Sequence, residues 1–261
     1  MSDTDPAHVA YADAGSAWAT GAMLAYGPMA RHLVDRCPIG LDGARVLDVG
    51  AGTGAASDVL DERGADVVAI DLEADMLRHD ERRHVAVAGD VCALPCRTGS
   101  FDACVAAFVL NHVTDASAAL TELMRVTHPG GAILAAVFSN VGDRSKNVID
   151  AVVMAYGYEP PDWYRVLKAR AAAVGTTERM RDAAQRAGLH AIDVTEEEID
   201  VALDDPAMIV RYRLGVPQIG QFVAGLEAST RASLIEESIA AVAGNGEPFR
   251  PAVIELVARV G

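Results

Sequence analysis

A glycine-rich stretch at residues 46–54, VLDVGAGTG, constrains the fold of this chain more than any other feature. A short apolar run ends at Asp48, and glycines follow at every second position. The run is typical of a buried parallel strand, and the glycines permit a turn in which a ligand lies against the main chain. A helix beginning near Ala55 would point unpaired N–H groups at an anionic part of that ligand. The segment predicts a nucleotide-type binding turn containing Gly50, Gly52 and Gly54.

The residue before the turn helps to decide which nucleotide is bound. A dinucleotide fingerprint, G-x-G-x-x-G/A, can be placed on Gly50, Gly52 and Ala55, so the glycines alone do not decide. Asp48 would put a carboxylate beside a pyrophosphate, and this repulsion is costly where there is little water. We therefore favour a ligand that carries an ammonium and a sulfonium group. The alternative without function is a strand–turn–helix that binds nothing.

Composition limits the class of protein. The chain has 261 residues, of which 51% are hydrophobic, enough for one large α/β domain. No apolar run approaches the roughly 20 residues that a membrane span needs. The N-terminal residues are acidic and resemble no secretory signal, so we expect a cytoplasmic protein without a membrane partner.

Charge and cysteines argue against two further classes of site. The formal net charge is −15 and no basic stripe is visible, which disfavours nucleic-acid binding. Cys92 and Cys96 are not completed by a second Cys/His pair, so we assign no metal.

Strand-like and helix-like segments alternate through the centre of the chain. This alternation with short connections predicts a parallel sheet with helices on both faces, whose ligands lie beyond the carboxyl ends of the strands. The predicted strands are 45–49, 66–70, 84–88, 101–107 and 131–138, with helices near 55–63, 73–79 and 116–127. Later segments predict a helix over 176–188, a strand over 189–194, helices over 205–242 broken near Pro217 and Gly220, and a last strand in AVIELVARV. Two short helices are expected within residues 9–36.

Two acidic residues end the second and third predicted strands. Asp71 could accept hydrogen bonds from both hydroxyls of a ribose, or it could cap the following helix. Asp90 could accept from an exocyclic amine while the backbone of Val91 binds a ring nitrogen. Gly-Asp is also an ordinary turn, so only the order of these motifs behind VLDVGAGTG makes the pair informative.

These motifs resemble those of class I S-adenosylmethionine-dependent methyltransferases, closest to the small-molecule group that includes the quinone-biosynthesis enzymes. The resemblance is carried by VLDVGAGTG, Asp71, GDVCALPCRTGSFDA, FVLNHV and LTELMRVTHPGGAIL. It implies a Rossmann-like, doubly wound α/β fold whose seven-stranded sheet has an antiparallel last strand. It further implies S-adenosylmethionine as cofactor and S-adenosylhomocysteine as product. The implied cofactor-binding residues are Asp48, Gly50, Gly52, Gly54, Asp71, Leu72, Asp90, Val91, Ala106 and Phe108.

On this resemblance we expect residues 1–261 to form a single methyltransferase domain made of several regions. We expect an N-terminal helical cap over 1–40 and a cofactor-binding core over 41–138. The segments 139–175 and 200–245 are expected to form a helical lid over the substrate, and the final strand lies within 246–261.

The candidates for catalysis and for acceptor binding come from the residues themselves. His112 follows the fourth strand and could act as a base, or it could pack under the next helix without proton transfer. Tyr11 and Tyr26 could touch the acceptor, or they could be core residues. Aromatic and arginine side chains in the lid segments suggest a pocket wall for a flat acceptor, with plain packing as the alternative. These lid residues are Trp163, Tyr164, Arg211 and Tyr212.

Two function classes follow from the sequence. The first is methyl transfer to a small, aromatic or heteroaromatic metabolite, at carbon, nitrogen or oxygen, by in-line displacement. The second keeps the fold and cofactor but not the transfer, as a cyclase or a regulator. A nicotinamide dehydrogenase is disfavoured by Asp48. The oligomeric state is left open.

Overall fold

The computed structural model describes residues 5–12, 14–80, 84–140 and 144–261. These residues form a seven-stranded sheet with the order β3-β2-β1-β4-β5-β7-β6. Strands β1 to β5 run parallel, while β7 is antiparallel to both β5 and β6. The predicted fold class is confirmed. The strands are β1 Arg45–Val49, β2 Asp66–Asp71, β3 Val85–Ala88, β4 Phe101–Ala107, β5 Thr127–Phe138, β6 His190–Glu198 and β7 Ala252–Arg259.

Helices cover both faces of this sheet, which explains why its central strands are apolar on both sides. In β1, Val46 faces one hydrophobic cluster and Leu47 faces the other, and both are fully buried. The helices are α1 Pro6–Tyr11, α2 Gly15–Ala17, α3 Met23–Asp35, α4 Ala55–Glu62, α5 Ala74–Arg78, α6 Ala116–Val126, α7 Arg144–Ala155, α8 Asp162–Ala172, α9 Thr177–Arg186, α10 Pro206–Leu214, α11 Pro217–Gly225 and α12 Ala228–Asn245. A π-helical segment, Trp18–Ala22, joins α2 to α3.

Local sequence signals set several helix ends. The Thr176 hydroxyl caps α9 by accepting from the Arg179 N–H, as the sequence predicted. Pro217 occupies the first turn of α11, where its missing N–H costs nothing. Gly220 lies inside α11, so the predicted break there is wrong; the chain breaks instead between α11 and α12.

Three other predicted boundaries differ from the structure. Strand β5 begins at Thr127, which pairs with Phe101 ahead of a register shift, four residues earlier than expected. Strand β6 extends to Glu198 because β7 pairs along its whole length. At the N-terminus, α2, the π-helical segment and α3 run on without a break over 15–35. Within the described parts of the chain, no helix has the length and apolarity required to cross a bilayer.

A buried carboxylate fastens α3 to the sheet. Glu255, in the middle of β7, is fully buried and accepts from Arg36 at 2.7 Å. His32 Nδ1 lies 3.0 Å from its other oxygen. Arg36 also donates to Asp193 of β6 at 2.7 Å. Because α3 also carries Tyr26, this polar cluster helps to hold the helix in register with the ligand edge of the sheet.

Removing Arg36 from this cluster should destabilise the fold. In Arg36→Met, Glu255 loses a charged partner while remaining buried, and we expect the free energy of unfolding to fall by about 3 kcal/mol. Urea denaturation would measure it. The matched control is Arg31→Met on the same helix, which removes an exposed ion pair with Glu62 and should cost less than about 1 kcal/mol. Equal losses in the two variants would contradict this role of Arg36.

Candidate active site

The glycine turn after β1 brings the main chain close to its neighbours. Gly50 has a φ of 68°, and a Cβ there would lie 2.6 Å from the Val109 side chain. The backbone N–H of Gly50 donates to the carbonyl of Ile70, which ties the turn to the end of β2. The turn then leads into α4, whose first residue is Ala55, as the sequence predicted. A side chain at position 50 would therefore disturb both the turn and the wall opposite it.

Asp48 lies beneath this turn with its carboxylate almost removed from solvent. Its exposed fraction is 1%, and Oδ2 accepts from the Ser57 hydroxyl at 2.7 Å. Oδ1 makes no hydrogen bond to the described residues. Burial raises the pKa of Asp48 to about 6. A buried carboxylate with one unsatisfied oxygen is costly unless something cationic or hydrogen-bonding reaches it.

Asp71, at the end of β2, is held by two backbone N–H groups. Oδ2 accepts from Gly52 and Oδ1 accepts from Glu73, both at 2.8 Å. Burial raises its pKa to about 6 as well. The neighbouring Glu73, which sequence reasoning missed, is buried and pairs with His8 of α1. The carboxylates of Asp71 and Glu73 therefore lie together at the edge of the sheet.

A cleft opens along this edge between the strand ends and the N-terminal helices. Of the predicted cofactor residues, Gly52 and Gly54 shape the turn without lining the cleft. Ala106 is buried inside β4 on the opposite side, and Ala107 takes its place in the lining because successive strand residues face opposite ways. The lining includes Asp48, Gly50, Asp71, Leu72, Asp90, Val91 and Phe108 among the predicted residues, and Trp18, Glu73, Met76, Gly89 and Val109 among those not predicted.

Aromatic rings close one end of the cleft. Tyr26 lies among them, 4.8 Å from the Trp18 ring and 5.0 Å from that of Phe108. Phe108 has a φ of 62°, a backbone conformation that side chains other than glycine rarely adopt. Phe138 completes the group at 5.7 Å from Tyr26. These rings form a wall that keeps water from the end of the cleft.

Tyr11 and His112 form a hydrogen-bonded pair beside this wall. The Tyr11 hydroxyl lies 3.1 Å from His112 Nε2, and the Asn111 amide nitrogen lies 3.0 Å from the same atom. With both groups donating, Nε2 accepts and the ring proton is on Nδ1, which has no partner among the described residues. Burial and the nearby Arg170 lower the pKa of His112 to about 4, so the imidazole is neutral at neutral pH. Arg170 also donates to the His112 carbonyl at 2.8 Å.

A second cavity of about 450 Å³ adjoins the cleft. The two share Tyr11, Trp18, Tyr26 and His112 as lining residues, so these four side chains lie at the junction. Both predicted lid segments contribute to the second cavity, with Trp163 and Tyr164 from α8 and Tyr212 from α10. A cavity of this size suits a small organic molecule.

The predicted Arg211 is not part of this cavity. Its side chain is exposed on α10, whereas Arg213, two residues later, lines the cavity. The sequence pattern of α10 does not show which of the two arginines faces the cavity. Arg213 pairs with Asp150 of α7 through Nε at 2.8 Å and Nη2 at 2.7 Å.

One polar cluster outside the cleft was also missed. Asp58, Asp80 and His84 each place a carboxylate or imidazole atom within 4.8 Å of the others. Asp80 accepts from the backbone N–H of His84 at 2.9 Å, and the His84 ring nitrogen Nδ1 lies 2.8 Å from the same oxygen. These contacts connect the end of α5 to the start of β3.

Comparison with known proteins finds a methyltransferase domain model that matches part of the chain. Residues 47–135 match the model of a methyltransferase domain. This match covers about a third of the chain and supports the resemblance to class I S-adenosylmethionine-dependent methyltransferases. The comparisons support S-adenosylmethionine as the cofactor, as the sequence resemblance implied.

Relatives and solved structures agree with this family. A demethylmenaquinone methyltransferase of Renibacterium salmoninarum is 43% identical over 113 residues, which is 42% of this chain and 48% of the relative. The matched segment thus covers about half of that relative. A phosphoethanolamine N-methyltransferase of Haemonchus contortus superposes with a TM-score of 0.57 at 17% identity, over 88% of this chain and 52% of that one. The cyclase SpnF superposes with a TM-score of 0.56 at 18% identity, over 90% and 82%. These two structural likenesses concern the fold alone.

The raised pKa of Asp48 predicts a pH dependence of cofactor binding. A cationic group binds the charged carboxylate, so binding lowers the pKa and releases a proton; affinity is high above pH 7 and falls as the pH drops through about 6. Calorimetric titration with S-adenosylhomocysteine should show about a ten-fold loss between about pH 7 and about pH 5. Asp48→Asn should bind weakly with a flatter profile. Asp66→Asn, at the exposed start of β2, is the control and should match the parent. A parent profile that is flat would contradict this role of Asp48.

Proposed function

We propose that this protein transfers a methyl group from S-adenosylmethionine to a small aromatic metabolite held in the second cavity. The observation that carries the proposal is the junction of the two cavities at Tyr11, Trp18, Tyr26 and His112. A ligand in the cleft and a ligand in the cavity would meet there. The match to the demethylmenaquinone methyltransferase covers 42% of this chain, so the acceptor is argued from the cavity.

Residues along the cleft suit the parts of the cofactor. Asp48 Oδ1, which has no partner among the described residues, would accept from the ammonium of the cofactor's methionine portion. The carboxylates of Asp71 and Glu73 are placed to accept from ribose hydroxyls. Leu72, Asp90 and Val91 would then contact the adenine. Phe108 and Tyr26 border the methionine end, where their rings exclude water from the reacting atoms.

Methyl transfer mainly requires that the acceptor and the methyl group be aligned. When bound, S-adenosylmethionine supplies a methyl group on a sulfonium, which is already electrophilic. The aromatic walls of the second cavity would fix the plane of the acceptor and thereby its attacking atom. Fixing two reactants in one geometry can account for several kcal/mol of the barrier.

The Tyr11–His112 pair would handle the acceptor's proton. Because the pKa of His112 is about 4, the imidazole is too weak a base to deprotonate a phenol in advance. It can take a proton from an acceptor oxygen that becomes strongly acidic as its new bond to carbon forms. Tyr11 would accept that proton at its oxygen and donate its own to His112 Nε2.

Replacing the histidine should separate proton handling from cofactor binding. We expect His112→Gln to lower kcat by about a hundred-fold or more, because a positioned acid–base group contributes at least this much. The dissociation constant for S-adenosylhomocysteine should change little. Tyr11→Phe should show a smaller loss of the same kind, and His128→Gln, exposed at the far end of β5, serves as the control.

The proposed activity is tested by release of S-adenosylhomocysteine across a panel of small aromatic acceptors. Turnover that consumes the cofactor's methyl group supports it, together with the loss in His112→Gln. Conversion of a substrate with the cofactor unchanged would establish the cyclase alternative. Cofactor binding without any turnover would favour the regulator. An undiminished kcat in His112→Gln would remove the histidine from the mechanism while leaving the transfer intact.

A further inference from the structure

The second cavity has an electrostatic character opposite to that of the whole chain. The formal net charge of the protein is −15. Yet the described charged residues that line this cavity, histidine aside, are Lys146, Lys168 and Arg213 against a single carboxylate, Asp150. Clefts that concentrate one sign of charge attract ligands of the other sign. The lining of the cavity is therefore more positive than the protein as a whole, which favours the binding of an anion.

The aromatic rings that line the second cavity do not indicate that its ligand is a cationic amine. Rings around a cavity can form a cage for an ammonium group. Here the protein supplies its own cation, since Lys146 Nζ lies 4.1 Å from the centre of the Phe138 ring and 6.0 Å from that of Tyr212. An incoming ammonium would compete for these faces and be repelled by the lysine.

Two hydrogen-bond donors in the cavity are available to bind an acidic ligand. Arg213 uses Nε and Nη2 for Asp150, and its Nη1 makes no hydrogen bond to the described residues. The arginine side chain is 11% exposed, so water competes little for it. The hydroxyl of Tyr158, a residue only 9% exposed, has no hydrogen-bond partner in the described part of the chain.

Tyr158 and Arg213 line the same cavity, and the charge of Arg213 influences the Tyr158 hydroxyl. Burial raises the pKa of Tyr158 to about 12, and the charges of Arg213 and Asp150 both reach its hydroxyl. The hydroxyl therefore stays protonated and can donate. A buried donor without a partner is costly in the free protein, and a ligand oxygen would offset that cost.

We propose that the methyl acceptor is an aromatic carboxylic acid whose carboxylate is held by Tyr158 and Arg213. This inference rests on the proposed function, because it takes the second cavity as the acceptor site. The aromatic walls, Trp163 and Tyr164 among them, would hold the ring. Asp150 acts as a positioning residue that orients the guanidinium toward the cavity.

Matched ligand pairs test this specificity directly. Naphthoate and its neutral amide, naphthamide, share one aromatic frame and differ in charge, while naphthylmethylamine carries the opposite charge. Each is titrated calorimetrically into protein saturated with S-adenosylhomocysteine. We expect naphthoate to bind at least about ten-fold more tightly than naphthamide, with the amine weakest, since hydrogen bonds to a charged group are strong.

Variants of Tyr158, Arg213 and Asp150 test whether these residues cause the preference for the acid over the amide. Tyr158→Phe keeps the ring and removes only the donor, so it should reduce the acid-to-amide ratio several-fold while leaving S-adenosylhomocysteine affinity unchanged. Arg213→Gln combined with Asp150→Asn removes both charges together and should abolish the ratio. Arg211→Gln makes the same arginine-to-glutamine replacement on the exposed side of α10 and should preserve the ratio.

The outcomes separate this inference from the proposed function. If S-adenosylhomocysteine binds but the acid binds no better than the amide, or none of the probes binds, the acid specificity is overturned and methyl transfer still stands. Tighter binding of the amine would also overturn it, in favour of an ammonium cage. A preference for the acid that persists in Tyr158→Phe and in the double variant would overturn the assignment to these residues. Failure to bind S-adenosylhomocysteine would count against the proposed function itself.

Discussion

The buried carboxylate of Asp48 is the interaction on which the site depends. Strand β1 carries Asp48 into the interior because the residues around it, Val46, Leu47 and Val49, are fully covered by helices. Ser57 satisfies one oxygen, the other has no partner among the described residues, and burial raises the pKa of Asp48. The fold thus stores an unfavourable charge that a cationic ligand would relieve. The glycine turn lies over this carboxylate and brings the main chain close to Val109.

The N-terminal segment is joined to the rest of the site by three polar contacts. Asp5 pairs with Arg170 of α8, His8 pairs with Glu73, and Tyr11 bonds His112. Each contact joins the cap to a different part of the cleft or cavity. The same segment supplies Trp18, which lines both. The N-terminal segment therefore contributes both to the lining of the cleft and to the Tyr11–His112 pair.

Much of the sheet could be predicted from sequence, because buried parallel strands are apolar runs and the glycine turn marks where one ends. The lengths of β5 and β6 could not, since they depend on pairing with β7, which lies far along the chain. The cleft residues after β1, β2 and β3 followed from topology, which places strand ends at one edge. The side chain of Ala106, whose backbone was predicted to flank the cofactor, faces away from the cleft, and that of Ala107 lines it, because successive strand residues face opposite sides. Arg211 was named from sequence and Arg213 was not, because the packing of α10 in the fold decides which of its side chains reach the cavity. The donor capacity of Tyr158 has no sequence signal; it is visible only as a buried hydroxyl without a partner.

The most direct test of the central claim, that Asp48 and the glycine turn bind a cationic S-adenosyl cofactor, is a calorimetric titration at neutral pH. S-adenosylmethionine, S-adenosylhomocysteine and NADH are compared on the same preparation, with folding checked by circular dichroism. The account predicts binding of the first two in the micromolar range and no detectable heat from NADH. Binding of NADH, or no binding of either S-adenosyl ligand by folded protein, would contradict it.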